Sequence, residues 1–144
     1  MEFKLLEKFI HGKFIYNGDQ ELSVICNAPR DKSGVYLVYS IKSNQKNLIY
    51  VGCSGHIKTD GVIAIRKTGL GGLKGRIVNG HQFGKKRNKS WREQMIKENI
   101  DALEIYWYVT HTDSEIESPG FIEFMLLNEY YKSQKKLPEW NKKF

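Results

Sequence analysis

Residues 33–55 read SGVYLVYSIKSNQKNLIYVGCSG, and this stretch decides the fold. Two runs rich in Val, Ile, Leu and Tyr flank a polar segment from Lys42 to Asn47, which contains two Asn, a Ser and a Gln. Apolar β-forming runs on either side of a turn-like polar break predict a β-hairpin.

The two ends of this hairpin carry glycine and tyrosine at matching positions. The first run opens with Gly34-Val35-Tyr36, and the second closes with Tyr50-Val51-Gly52. Glycine inside a strand gives up packing, and it often marks a close approach of the backbone. Each Gly lies two residues from a Tyr, so the pair shares one face of a regular strand. We therefore expect two phenols and two bare stretches of backbone in one patch, which suits a phosphate group.

The order Gly34-Val35-Tyr36 and then Tyr50-Val51-Gly52 resembles the paired motif of the GIY-YIG nuclease superfamily, with Val in place of Ile in both halves. Three later features resemble the same family in order. They are LKGR at 73–76 followed by His81 (its arginine helix), PGFIE at 119–123 (its glutamate helix) and LPEWN at 137–141 (its Trp-Asn ending). The resemblance spans residues 34–141, most of the chain.

The composition favours one folded domain over residues 1–144, and the resemblance implies an N-terminal extension at 1–30 and a catalytic core at 33–141. A chain of 144 residues can bury a substantial core. The mean hydropathy of -0.51 and the lack of a long apolar run predict no transmembrane span. Two cysteines are too few for a disulfide framework, and the N-terminus lacks the pattern of a signal peptide. We expect a cytoplasmic protein.

Positive charge is concentrated in one segment. The formal net charge is +7, but residues 56–97 alone hold eleven Lys and Arg against Asp60 and Glu93, which gives this segment +9. Localised positive charge is typical of proteins that bind polyanions. A merely solubilising surface is the alternative.

The coarse pattern predicts an α+β fold, with a small three-stranded antiparallel sheet flanked by helices. Apolar residues at helical spacing predict an N-terminal helix over 2–11, and residues 21–26 fit a short strand or an extended arm. The third strand is expected at 102–110, because β-branched and aromatic residues dominate there. Helices are expected at 70–79, after a capping box at 90–93, and from Ser118-Pro119 to about Tyr131.

The glycine-rich segment at 54–72 fits an insertion in the family pattern. We expect an exposed excursion here, which is either a DNA-contacting loop or a plain surface loop. Long surface loops cost little entropy.

The strongest candidates for catalytic residues are Glu123 and one arginine. Glu123 lies among apolar residues, so its carboxylate is expected to be paired, exposed on a narrow face or bound to metal. A guanidinium can hold two oxygens of a phosphate whose charge grows during hydrolysis. Arg76 fits that role by its spacing to His81, and Arg66 is the competing candidate.

The resemblance implies the remaining roles. Tyr36 acts as the base, Tyr50 positions the phosphate, His81 assists proton transfer, and Glu123 holds one Mg²⁺ (or Mn²⁺). A phenol needs a nearby cation or hydrogen-bond partner to act near neutral pH, and His81, Lys42 or Lys46 could supply it. Further residues expected to contact nucleic acid are Arg66, Lys67, Lys74, Lys85, Lys86, Arg87 and Lys89. The amide of Asn141 is expected either to contact phosphate or to have a structural role.

The resulting hypothesis is a divalent-metal-dependent DNA endonuclease, compact like small restriction or phage enzymes, acting on double-stranded DNA without contacting a membrane. A homodimer would suit a palindromic site. The alternatives are a non-catalytic nucleic-acid-binding module on the same fold and a basic scaffold for a protein partner.

Overall fold

The computed structural model describes residues 2–144, which form an antiparallel sheet with helices on both faces. The strands are β1 (Ile10–Tyr16), β2 (Gly34–Lys42), β3 (Gln45–Ser54), β4 (His56–Ile57), β5 (Ile63–Ala64), β6 (His81–Gln82), β7 (Lys85–Lys86) and β8 (Ala102–Val109). The helices are α1 (Leu22–Ile25), α2 (Gly72–Asn79), α3 (Arg87–Glu98) and α4 (Pro119–Gln134), with a 3-10 turn at Lys4–Leu6. The main sheet has the order β1-β8-β2-β3, and β4–β5 and β6–β7 form two separate ribbons. The predicted α+β class is confirmed.

The sheet has four strands, so the prediction of three is wrong, and β1 is the strand that it missed. The N-terminal helix predicted over 2–11 is replaced by the 3-10 turn and the start of β1. β1 pairs antiparallel with β8, from Ile10 opposite Val109 to Tyr16 opposite Leu103. Its burial alternates with a period of two, which is the pattern of a strand rather than a helix.

The hairpin over residues 33–55 is confirmed. β2 and β3 pair antiparallel and are joined by Ser43 and Asn44, whose φ values of 51° and 63° are left-handed. Two consecutive residues with positive φ form the turn that best matches the twist of a two-residue hairpin. Tyr36 lies directly opposite Gly52 in the register, so the two predicted motifs face each other across the strand pair.

Two apolar cores cover the two faces of the sheet. On one face, Tyr36 of β2 and Ile105 of β8 pack with Leu73 of α2 and Trp91 of α3. On the other face, α4 and the N-terminal turn pack against Leu37 and other residues of the central hairpin. Because the order ends in β3, this strand forms the sheet edge next to α2 and α4.

Two local predictions differ from the structure, and a third agrees with it. Residues 21–26 contain the short helix α1 rather than a strand or an arm. Helix α3 begins at Arg87, whereas the capping-box pattern placed the start at Ser90, which lies buried inside the helix. Helix α4 begins as predicted, because Ser118 Oγ accepts from the Phe121 amide and Pro119 occupies the first turn.

The segment 54–72 is tied to the domain rather than a free excursion. It contains the β4–β5 ribbon, and Ser33 Oγ donates to the Ala64 carbonyl at 3.0 Å. At its end, the Gly72 amide donates to the Arg66 carbonyl at 2.7 Å. Among residues 2–144, no helix has the length and hydropathy that a membrane crossing requires.

Candidate active site

The tyrosine rings occupy the space that Gly52 leaves empty. A Cβ atom at residue 52 would lie 2.5 Å from Cζ and Oη of Tyr36 and 2.8 Å from Cε2 of Tyr50. These separations are too short for any side chain, so the Tyr36 ring lies directly over bare backbone. The expected patch of two phenols and two bare stretches of backbone is confirmed for Tyr36, Tyr50 and Gly52, but not for Gly34.

Gly34 meets a different constraint. A Cβ atom there would overlap the backbone carbonyl of Tyr108 on β8. The first glycine therefore allows two strands to approach, and only the second belongs to the tyrosine patch.

A buried arginine joins the two tyrosine hydroxyl groups. Arg87 is 1 % exposed, and its Nη1 donates to Tyr36 Oη at 2.6 Å while its Nη2 donates to Tyr50 Oη at 3.2 Å. Nη1 also donates to the Arg76 carbonyl at 2.9 Å, and Nε donates to Gln82 Oε1 at 3.1 Å. All three guanidinium nitrogens of Arg87 thus donate to acceptors within the protein. The sequence predicts that Arg87 contacts DNA, whereas in the structure its side chain is buried.

The cations near Tyr36 are therefore arginines, with Arg87 bonded to its hydroxyl, and not the hairpin lysines. Lys46 donates to Glu104 at 2.9 Å and to Tyr106 at 3.0 Å. Lys42 and Lys46 both lie at the turn end of the hairpin, several residue pairs away from Tyr36. Sequence reasoning did not find the role of Arg87, because it lies in the basic run KKRNK at 85–89.

Four of the five expected catalytic residues line one cavity of about 470 Å³ beyond the edge strand β3. They come from four elements: Tyr50 from β3, Arg76 from α2, His81 from β6 and Glu123 from α4. The tail residues 140–144 complete the wall.

Tyr36 lies behind this cavity and is fully buried. Its hydroxyl oxygen accepts a hydrogen bond from the Arg87 guanidinium, and the Arg76 guanidinium lies close enough to interact with it electrostatically. A guanidinium can only donate, so this oxygen acts as the acceptor toward Arg87.

Burial determines the protonation of Tyr50 and Cys53. Burial raises the pKa of Tyr50, and the adjacent Tyr36 raises it further, while Arg87 and Arg76 oppose the shift. Burial and the nearby Glu123 raise the pKa of the Cys53 thiol to about 12. Both groups therefore keep their protons near neutral pH.

Glu123 is partly buried in the cavity wall. Burial raises the pKa of its carboxyl group, and contacts with the Cys53 thiol and the Arg76 charge partly offset the rise. Residues 2–144 contain no group of three or more His, Cys, Asp and Glu side chains arranged to hold a metal ion. Glu123 is the only acidic side chain among the described residues that line this cavity, so the donor set is a single side-chain carboxylate. Such a set fits Mg²⁺, which keeps several waters and accepts one or two carboxylates together with substrate phosphate.

Arg66 and Arg76, the two alternatives for the catalytic arginine, lie close enough to interact. Burial lowers the pKa of the Arg66 guanidinium, and the positive charge of Arg76 lowers it further. Arg76 lines the main cavity, whereas Arg66 lines a neighbouring recess with Arg30 and Lys67. Only Arg76 therefore faces Tyr50, His81 and Glu123.

Asn141 has a structural role at the edge of β3. Its Oδ1 accepts from the Val51 amide at 2.9 Å, and its Nδ2 donates to the Val51 carbonyl at 3.0 Å. The Trp140 amide donates to the Ile49 carbonyl at 2.8 Å. The tail thus covers the exposed edge of β3 where the cavity begins.

The remaining predicted DNA contacts are mostly at the surface. Four lysines are exposed, namely Lys67, Lys85, Lys86 and Lys89, and Lys74 is partly buried. Of these five, only Lys85 forms an ion pair among the described residues, with Glu93 at 2.9 Å.

Comparison of the chain with models of known protein families, with curated proteins and with solved structures gave no match.

Proposed function

We propose that this chain is a divalent-metal-dependent endonuclease, similar to the GIY-YIG superfamily, that hydrolyses phosphodiester bonds of double-stranded DNA. The observation that carries the proposal is that Tyr50, Arg76, His81 and Glu123 line one cavity, with the Tyr36 hydroxyl bonded behind them. These residues come from distant parts of the sequence. Their convergence was expected from the resemblance alone.

Arg76 is the phosphate-binding arginine in this proposal. It faces the cavity, and it carries a fixed positive charge where the phosphorus oxygens gain negative charge during hydrolysis. Tyr50 keeps its proton, so its hydroxyl can donate to a phosphate oxygen while it accepts from Arg87. Together the two side chains orient the scissile group.

Glu123 is the side chain that would hold Mg²⁺ or Mn²⁺. When bound, such an ion stabilises the charge that develops on the leaving 3′-oxygen. The carboxylate has no ion pair within 4 Å among the described residues, so it can take a cation without breaking one. The expected products carry a 5′-phosphate and a 3′-hydroxyl.

Tyr36 and His81 share the proton transfer. Tyr36 is buried, and its hydroxyl oxygen accepts a hydrogen bond from the Arg87 guanidinium. His81 is exposed and lines the cavity, so it can pass a proton to solvent. Water reaches Tyr36 only if the surrounding side chains shift. If Tyr36→Phe keeps full activity and His81→Ala loses it, His81 is the base.

The test is cleavage of supercoiled plasmid by the purified protein in Mg²⁺ and in EDTA. The proposal predicts nicking or cutting in Mg²⁺ that is absent in EDTA and is lost in Arg76→Ala. Salt-sensitive DNA binding without cleavage on plasmids and structured DNA would instead support the non-catalytic module, because phosphate contacts alone explain such binding.

A further inference from the structure

Three arginines, Arg66, Arg76 and Arg87, lie close to Tyr36, and none of them forms an ion pair among the described residues. The ion pairs among residues 2–144 involve only Lys8, Lys13, Lys46 and Lys85, so none of the three arginines has a carboxylate within 4 Å. The positive charges of Arg76 and Arg87 both act unfavourably on Arg66. A fold that gathers mutually repelling cations gives up stability, because an uncompensated charge away from water is costly.

The three guanidinium groups differ in how their donors are used. Each guanidinium nitrogen of Arg87 donates to an acceptor within the protein. The Nε atoms of Arg66 and Arg76 are both buried and have no hydrogen-bond partner among the described residues. An unpaired buried donor usually indicates a missing partner. Two such donors on adjacent cations indicate a missing anion.

The position of Arg66 is fixed by the fold. Its carbonyl accepts from the Gly72 amide at 2.7 Å, which folds the end of the 54–72 insertion back onto the start of α2. Its Nε lies 3.3 Å from the place where a Cβ atom of Gly75 would be. The missing side chain at Gly75 thus leaves room for Arg66 to lie along α2 toward Arg76.

We propose that Arg66 and Arg76 form a two-arginine anion site that takes one phosphate group of the DNA strand. The site joins the main cavity, which Arg76 lines, to the recess that Arg30, Arg66 and Lys67 line. Guanidinium groups match phosphate oxygens with paired hydrogen bonds, and phosphate supplies the charge that the cluster lacks. The identity of the ligand rests on the proposed function, whereas the anion site itself does not.

The test uses inorganic phosphate and thermal unfolding, so it needs no nuclease activity. Phosphate is titrated against chloride at constant ionic strength, and Tm is measured for the wild type, Arg66→Ala, Arg66→Lys and the control Lys132→Ala. Lys132 is exposed on α4 and lines neither the cavity nor the recess, so this control removes one positive charge without touching the site. Ligand binding to the folded state raises Tm by mass action.

We expect phosphate to raise the wild-type Tm more than chloride does, in a saturable way. Arg66→Ala should weaken the apparent phosphate affinity at least about tenfold, Arg66→Lys less, and Lys132→Ala hardly at all. In chloride alone, Arg66→Ala should be no less stable than the wild type, because one of the repelling charges is gone. A purely structural Arg66 would give a lower Tm in chloride and an unchanged phosphate response, and that result overturns the proposal.

DNA binding in EDTA then identifies the ligand. Arg66→Ala is expected to lower the number of phosphate contacts read from the salt dependence by about one. An unchanged salt slope overturns the assignment to DNA. A phosphate response in a protein that never cleaves DNA would leave the anion site standing while the nuclease proposal fails.

Discussion

Replacing Gly52 with Ala tests whether the missing side chain at this glycine is what allows the rings of Tyr36 and Tyr50 to pack over the strand. The new Cβ atom would lie 2.5 Å from Cζ and Oη of Tyr36 and 2.8 Å from Cε2 of Tyr50, roughly 1 Å inside normal van der Waals contact. Tyr36 is fully buried and bonded to Arg87, so its ring cannot move aside without disturbing that network. Overpacking of this kind costs about 1–3 kcal/mol.

The displacement should affect activity more than stability. A shift of about 1 Å in a catalytic group can cost about 10²-fold in rate. Urea unfolding gives the stability change, and plasmid cleavage in Mg²⁺ gives the rate.

The matched control is Gly120→Ala. Gly120 lies in the first turns of α4, and its nearest neighbour would be 3.9 Å from a new Cβ atom. This control should be neutral or slightly stabilising, by up to about 1 kcal/mol. If Gly52→Ala behaves like Gly120→Ala in both assays, the reasoning about the tyrosine patch is wrong.

Three further predictions address the site. In Arg87→Lys, one ammonium group cannot reach both tyrosine hydroxyls, so single-turnover cleavage should fall about 10²-fold while DNA affinity, measured in EDTA, changes little. A large loss of affinity with normal cleavage at saturation would mean that Arg87 contacts DNA instead. Glu123→Gln should raise Tm at pH 7–8, because burial raises the pKa of this carboxyl group and its ionised form is unfavourable in the folded state. The gain in Tm should vanish on acidification, where Glu123 is protonated in both the folded and the unfolded state, and a lower Tm at pH 7–8 would contradict this prediction. Asn141→Ala removes both hydrogen bonds to Val51, so it should lower the free energy of unfolding in urea by about 1–3 kcal/mol and leave the salt dependence of DNA binding unchanged. Unchanged stability with a weaker salt dependence would indicate that Asn141 contacts phosphate.

The parts of the fold that sequence predicted are those whose signals are local. In the hairpin around Ser43 and Asn44, the apolar runs and the turn residues lie within a few positions of one another, so the local sequence predicts the whole motif. The start of α4 at Ser118-Pro119 carries its own cap. The N-terminus was misread, because Leu5, Leu6, Phe9 and Ile10 fit helical spacing, whereas a 3-10 turn and the start of β1 divide them. That outcome depends on pairing with β8, about a hundred residues later.

The most consequential residue, Arg87, was assigned to the wrong environment for a related reason. A capping-box pattern placed the start of α3 at Ser90, which left Arg87 in a basic loop. With the helix starting at Arg87, this residue lies four and eight positions before Trp91 and Met95, on one buried stripe. The helix start determined which face Arg87 would join, and no local cap marks that start. The choice between Arg66 and Arg76 likewise needed the path of the insertion, which glycine-rich sequence does not specify.

The most direct test of the central claim is the Mg²⁺-dependent cleavage rate of Glu123→Gln beside Glu129→Gln. Both residues lie on α4, but Glu123 lines the cavity and Glu129 is exposed away from it. Each substitution removes one negative charge and preserves side-chain size. The proposal predicts plasmid cleavage at the wild-type rate for Glu129→Gln and a loss of at least about 10²-fold for Glu123→Gln. Equal rates in the two variants would contradict the assignment of this cavity as a metal-dependent active site.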